Sequence, residues 1–119
     1  MKTKVMRGFA RPTALMVGPG VNGNDPTLDK RYPYDPAAAK KLLAEAGYPD
    51  GFEVGFDCPN DRYVNDEAIC QAVVAMLARI GVKADLLAQT KAKYFGKINA
   101  PRFDTSFYML GWTPGTLDA

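Results

Sequence analysis

From Asp35 onward the apolar residues switch between a period near 3.6 and a period of two, and this alternation constrains the fold more than any other feature. Asp35-Pro36-Ala37 opens a first helix. Aspartate is a good N-cap, and proline in the first turn loses nothing by lacking an N–H. The helix is expected over 36–46; strong helix formers fill 37–46, with Leu42, Leu43 and Ala46 joining Ala38 and Ala39 on one face. Gly47 supplies a left-handed C-cap, and Tyr48-Pro49-Asp50-Gly51 reads as a turn. Over 52–57, Phe52, Val54 and Phe56 alternate with Glu53, Gly55 and Asp57, the mark of a half-buried strand. Cys58 to Asn65 is polar and contains Pro59 and Asn60, so it reads as a loop. A second helix is expected over 66–80, capped by Asp66, with Ile69, Val73, Met76, Leu77 and Ile80 inward and Gly81 as the stop. Val82, Ala84 and Leu86 share one face of a strand over 82–88. Thr90 caps a helix over 91–98 that turns Tyr94, Phe95 and Ile98 inward. A third strand over 105–111 shows little alternation, which predicts cover on both faces. Helices alternating with strands predict an α/β fold, a small mixed sheet with packed helices.

Residues 1–34 differ. Pro12, Pro19, Pro26 and Pro33 are interleaved with Gly8, Gly18, Gly20 and Gly23. Proline fixes its own φ and turns the preceding residue away from helix, so this stretch predicts an extended arm that lies on another surface. Lys4 to Phe9 reads as the tail of a helix stopped at Gly8. The division expected is therefore an arm over 1–34 and an α/β core over 35–119.

Composition removes whole classes of function. With 47% apolar and 24% charged residues in 119, the chain is an ordinary globular mixture of one-domain size. Its net charge of +2 is too balanced for a nucleic-acid partner. No run approaches the length of a membrane-spanning helix, and the first residues lack the apolar core of a signal peptide. Histidine is absent, which removes Ser-His-Asp and Cys-His catalysis and His-based zinc sites. No calcium-loop spacing and no paired glycosidase-like carboxylates occur, so neither metal nor cofactor is expected. Cys58 and Cys70 stand twelve positions apart, outside any CxxC arrangement. Export would permit a disulfide between them. Because Cys70 falls on an apolar helix face, where a thiol acts as a small buried hydrophobe, the reading favours two separate thiols.

The run from Tyr34-Asp35-Pro36 through Ala39-Lys40-Lys41-Leu42-Leu43-Ala44-Glu45-Ala46-Gly47-Tyr48-Pro49-Asp50-Gly51-Phe52 resembles the signature of the extracellular solute-binding proteins of the peptide/nickel family. These are ligand-binding subunits of bacterial ABC importers for dipeptides, oligopeptides, glutathione and nickel. Leu77-Ala78-Arg79-Ile80-Gly81-Val82-Lys83 looks like that family's next helix-to-strand junction, and Asn60-Asp61-Arg62-Tyr63 and Gly111-Trp112 follow in the expected order. The resemblance covers essentially the whole chain. It implies part of the C-terminal lobe of a periplasmic-binding-protein type II fold, and a longer parent with an N-terminal lobe. The parent would be periplasmic, or extracellular and membrane-anchored. Its partners would be a peptide-like small-molecule ligand (a dipeptide, oligopeptide or glutathione-like molecule) and an ABC permease, with no catalysis.

The resemblance also implies site residues. Trp112, at the end of the strand toward the cleft, would stack on a ligand, as a large aromatic there can. Dipeptide-binding members carry an aspartate three positions after this tryptophan, where this chain has Gly115; Asp118 stands further on. The Thr113-Pro114-Gly115-Thr116 loop looks closer to glutathione-type members, with Thr113 and Thr116 offering hydroxyls to a carboxylate. Arg62 would pair bidentately with a ligand carboxylate, and Asn60 is a weaker candidate on the same loop. A plain reading stands beside each: Trp112 in the core, the threonines in turns, Arg62 paired with Asp61 or Asp66. The alternatives from other classes are an interaction domain with no ligand of its own, and a small enzyme using Cys58 as nucleophile. The enzyme would lack a histidine base.

Overall fold

The structure is a computed structural model that describes residues 1–102, 104–113 and 115. It divides into two units, Asp35–Met109 together with Met1, and Lys2–Tyr34 with Leu110–Ala119. Each unit is described by itself.

In the first unit, Asp35 adopts an extended backbone, and its carboxylate accepts the N–H groups of Ala37 (3.0 Å) and Ala38 (2.9 Å). That cap starts α1 (Pro36–Glu45). The helix ends where Gly47 takes φ +90°, with Tyr48 N–H donating to the Leu43 carbonyl at 2.8 Å. None of its side chains is buried, and Leu42 remains 65% exposed. A turn through Gly51 (φ +80°) leads into β1 (Phe52–Pro59). A Cβ at Gly51 would overlap the Gly81 carbonyl group, so the backbones entering the first two strands touch where only glycine fits.

α2 (Asp66–Ala78) follows and returns the chain to β2 (Val82–Gln89), which runs parallel to β1 in a register from Phe52–Val82 to Pro59–Gln89. α3 (Lys91–Ile98) then leads to β3 (Phe107–Tyr108), paired in parallel with Phe56 and Asp57. The order is β2-β1-β3. All three described strands are parallel, where a mixed sheet is expected from the sequence, because each connection passes through a helix. β3 spans two residues, not seven. It lies at one end of the strand order, and its two residues remain 44% and 48% exposed, so the expected cover on both faces is absent among the described residues.

Phe56, Cys58 and Ala84 point from the sheet toward α2, where they meet Cys70, with Val73, Val74 and Leu77 packed around them. The opposite face of β1 carries Asp57, only 1% exposed. Its carboxylate takes an ion pair from Lys97 of α3 at 2.9 Å and a hydrogen bond from Gln89 at 3.4 Å. Lys97 also reaches Asp104 at 3.0 Å. Hydrogen bonds to Asp57 and then Asp104 raise the Lys97 pKa above its ordinary value. Tyr94, fully buried, donates its hydroxyl to the Met109 carbonyl and so ties α3 to the chain beyond β3.

Two local expectations change. Cys58 and Cys70 form a disulfide and are not separate thiols. β1 continues two residues past its expected end, so Cys58 faces α2 with the two Cα atoms 6.5 Å apart, inside the range a disulfide spans. The start of α2 is also different: Asn65 (φ +57°) occupies the N-cap, and Asp66 is the first helical residue.

In the second unit the arm is stitched to itself. Asp25 caps a single 3₁₀ turn, Pro26–Leu28. The Asp29 carboxylate accepts Thr13 Oγ1 at 3.0 Å and Ala14 N–H at 2.6 Å, and Asn24 donates its amide to the Val17 carbonyl at 2.7 Å. Lys2 to Gly8 is a run of turns and not a helix tail.

Candidate functional site

A parallel sheet gathers the carboxyl ends of its strands on one edge, where the ligands of open α/β layers collect. β1, at the centre, runs out of that edge into the loop 60–65, which carries Asn60 and Arg62. Asn60 N–H donates to the Gln89 carbonyl at 2.9 Å, binding the loop's start to the end of β2. The Asp61 carboxylate accepts Lys91 N–H at the first turn of α3, a task the sequence reading assigned to Thr90, whose side chain makes no capping bond.

Asp66 closes the loop from its far end and is 4% exposed. Its Oδ2 accepts the N–H groups of Arg62 (2.9 Å) and Tyr63 (3.0 Å), while Oδ1 accepts that of Glu67 (2.9 Å). Burial is the largest single influence and opposes ionisation. The N–H groups of Tyr63, Arg62 and Glu67 together outweigh it and hold the Asp66 carboxyl below its ordinary range. The disulfide lies just beneath, joining β1 to the second turn of α2, with Met109 Sδ 3.4 Å from Cys70 Sγ. Both cysteines are fully buried and oxidised, so Cys58 presents no thiolate nucleophile.

With both neighbouring carboxylates engaged by backbone, the Arg62 side chain pairs with neither. Its guanidinium lies over the Tyr63 ring, 4.8 Å from the centroid. Arg62 and Asn60 are both exposed. Sequence reasoning singled these two out as candidates, but it took Asp66 for a helix cap and not for the residue that shapes their loop. An aspartate preceding an apolar helical run carries the same signal whether it caps forward or reaches back.

Of the remaining candidates, Trp112 and Thr113 lie in the second unit. Trp112 is 67% exposed, so the plain reading of a core tryptophan is not what the structure holds; Thr113 is exposed as well. Thr116 and Asp118 lie outside the described residues. The same unit holds a hollow of about 330 Å³ lined by Arg11, Thr13, Leu15, Asn24, Pro26 and Asp29, which sequence reasoning did not anticipate. The Ala14 N–H and then the Thr13 hydroxyl lower the Asp29 pKa, with Arg11 and Arg31 adding to the effect. Among the described residues no cluster of side chains suits a metal ion.

The whole chain, residues 1–119, matches the family described as "Bacterial extracellular solute-binding proteins, family 5 Middle", and it belongs to that family. Over 116 residues it is 34% identical to the glutathione-binding protein GsiB of Salmonella typhimurium, covering 94% of this chain and 22% of that protein. Over 93 residues it is 37% identical to heme-binding protein A of Haemophilus influenzae, covering 76% of this chain and 16% of that one. The chain thus spans less than a quarter of the length of these relatives. Among solved structures, the periplasmic binding protein DppA of Helicobacter pylori in complex with the peptide STSA superimposes with a TM-score of 0.84 at 24% identity, over 98% of this chain and 22% of that chain, a likeness of fold.

Proposed function

We propose that this chain is part of the ligand-binding lobe of an ABC importer's substrate-binding protein, which captures a peptide-like solute and delivers it to a membrane permease without altering it. The observation that carries the reading is the exposed Arg62 guanidinium, unpaired with its neighbouring carboxylates and held on a loop at the carboxyl end of the central strand. Its planar fork suits a carboxylate, and glutathione and heme, named in two relatives, both carry carboxylates. Trp112, Thr113, Thr116 and Asp118 are proposed as further contacts, and Asn60 as a weaker neighbour of Arg62. The disulfide supports a location outside the reducing cytoplasm, in a periplasm or at an extracellular surface. Closure of a second lobe over the ligand would supply the rest of the affinity, so this chain alone should bind weakly.

The test is a titration of the isotope-labelled chain with S-methylglutathione, which cannot reduce the disulfide. Fast-exchange shifts that include amides near Asn60–Asn65, and that are lost there in Arg62→Gln, are expected. Shifts that ignore Arg62, or submicromolar affinity from the chain alone, would count against the reading.

A further inference from the structure

The loop that carries Arg62 already contains a carboxylate bound to its backbone. Asp66 takes the N–H groups of Arg62 and Tyr63 on one oxygen and that of Glu67 on the other, so its own side chain fills the place a bound anion would occupy against these amides. Two consequences follow from the geometry. The backbone of residues 62 and 63 is fixed before any ligand arrives, with Asn65 in a left-handed turn and the disulfide pinning β1 to α2 on either side of the loop. The only cationic donor the loop can still offer is then the Arg62 side chain, resting on Tyr63.

We infer that Asp66 is a positioning residue for ligand capture: by occupying the loop's amides it forces a ligand carboxylate onto the Arg62 guanidinium and fixes the angle at which that guanidinium is presented. This rests on the proposed function for the role of Arg62, but the placement of Arg62 by Asp66 is a property of the unliganded chain. Preorganisation of this kind strengthens binding by removing the ordering cost of the loop at the moment of contact. Asp66 itself touches no ligand.

The experiment compares the 119-residue chain with Asp66→Ala and Asp66→Asn. Three readouts are used: amide hydrogen exchange at residues 62, 63 and 67, the upfield ring-current shift of the Arg62 δ-methylene protons over Tyr63, and S-methylglutathione titration. In the parent chain the three amides should exchange at least about tenfold more slowly than in Asp66→Ala. The δ-methylene shift should collapse toward the free-arginine value in Asp66→Ala while the helical circular dichroism and its cooperative melt persist. If Asp66→Ala does not fold, Asp66→Asn decides. It keeps one acceptor oxygen, so it should lose protection either at residues 62 and 63 or at residue 67, but not retain both. Unchanged protection and an unchanged ring-current shift in a folded variant overturn the inference, whatever the ligand result. Absence of any S-methylglutathione response in the parent chain counts against the proposed function and leaves the Asp66 readouts to stand or fall separately.

Discussion

Breaking the Cys58–Cys70 disulfide tests the account of the core most directly. The bond closes a segment with a sequence separation of twelve. The chain-entropy relation for a loop of that size gives about 3 kcal/mol of stabilisation, all of it through the unfolded state. Reduction keeps both sulfur atoms in the core, moved apart only to non-bonded contact, so most of the packing around Phe56, Ala84 and Val73 is retained and the cross-link is the main thing removed. The assay is urea unfolding followed at 222 nm, because the three α-helices among the described residues lie in the Asp35–Met109 unit and dominate that signal. With a slope of about 1–3 kcal/mol per molar urea, the midpoint should fall by about 1–3 M on reduction. A thiol assay on the unreduced, urea-unfolded chain should find no free cysteine. Two titratable thiols, or superimposable unfolding curves before and after reduction, would refute the reasoning.

Two further predictions concern the strand entries and the aromatic core. Gly47→Ala places a side chain at φ +90° in open space and should cost about 1–2 kcal/mol from the backbone alone; Gly51→Ala adds overlap with the Gly81 carbonyl and should lower the melting temperature further. Equal melting temperatures for the two variants would contradict the close approach of the strand entries. Burial, with smaller effects from Tyr63, Asp57 and Tyr108, pushes the Tyr94 hydroxyl up to about 12. Its folded pKa lies above its unfolded value of about 10, so the stability it contributes is complete below pH 10 and declines as pH rises from 10 toward 12. A spectrophotometric titration at 295 nm should show a late-ionising tyrosine that Tyr94→Phe removes.

What was legible in the sequence is what short-range chemistry determines. Asp35, Pro36 and Gly47 mark the limits of α1 because caps act within a turn, and the two-residue alternation from Phe52 to Asp57 is a property of the strand itself. The loop that follows β1 was legible because Asn60 and its polar neighbours break the strand's alternation. The misses are contacts across long separations or choices between equivalent local uses. Lys97 meets Asp57 forty positions away, and nothing local in either residue announces the pair. The disulfide needed β1 to run on to Pro59, past a point where Pro59 and Asn60 read as loop. Asp66 reaches backward because Asn65 turns left-handed, a backbone choice that composition does not reveal. The apolar run 105–111 reads as a long strand, yet only Phe107 and Tyr108 pair with β1.

The parallel register of the sheet also governs how the chain reaches this structure. Every β1–β2 pair, from Phe52–Val82 to Pro59–Gln89, joins residues thirty positions apart, and no hairpin exists among the described strands to nucleate the sheet locally. The central strand therefore has no partner until α2 has turned the chain back on itself, and loop closure must come before any ladder hydrogen bond forms. In the interval Phe52, Val54 and Phe56 lie along an unpaired strand edge. The crossover helix is thus a kinetic safeguard as well as a packing element: the sooner α2 condenses, the shorter the time that edge is open to a second chain.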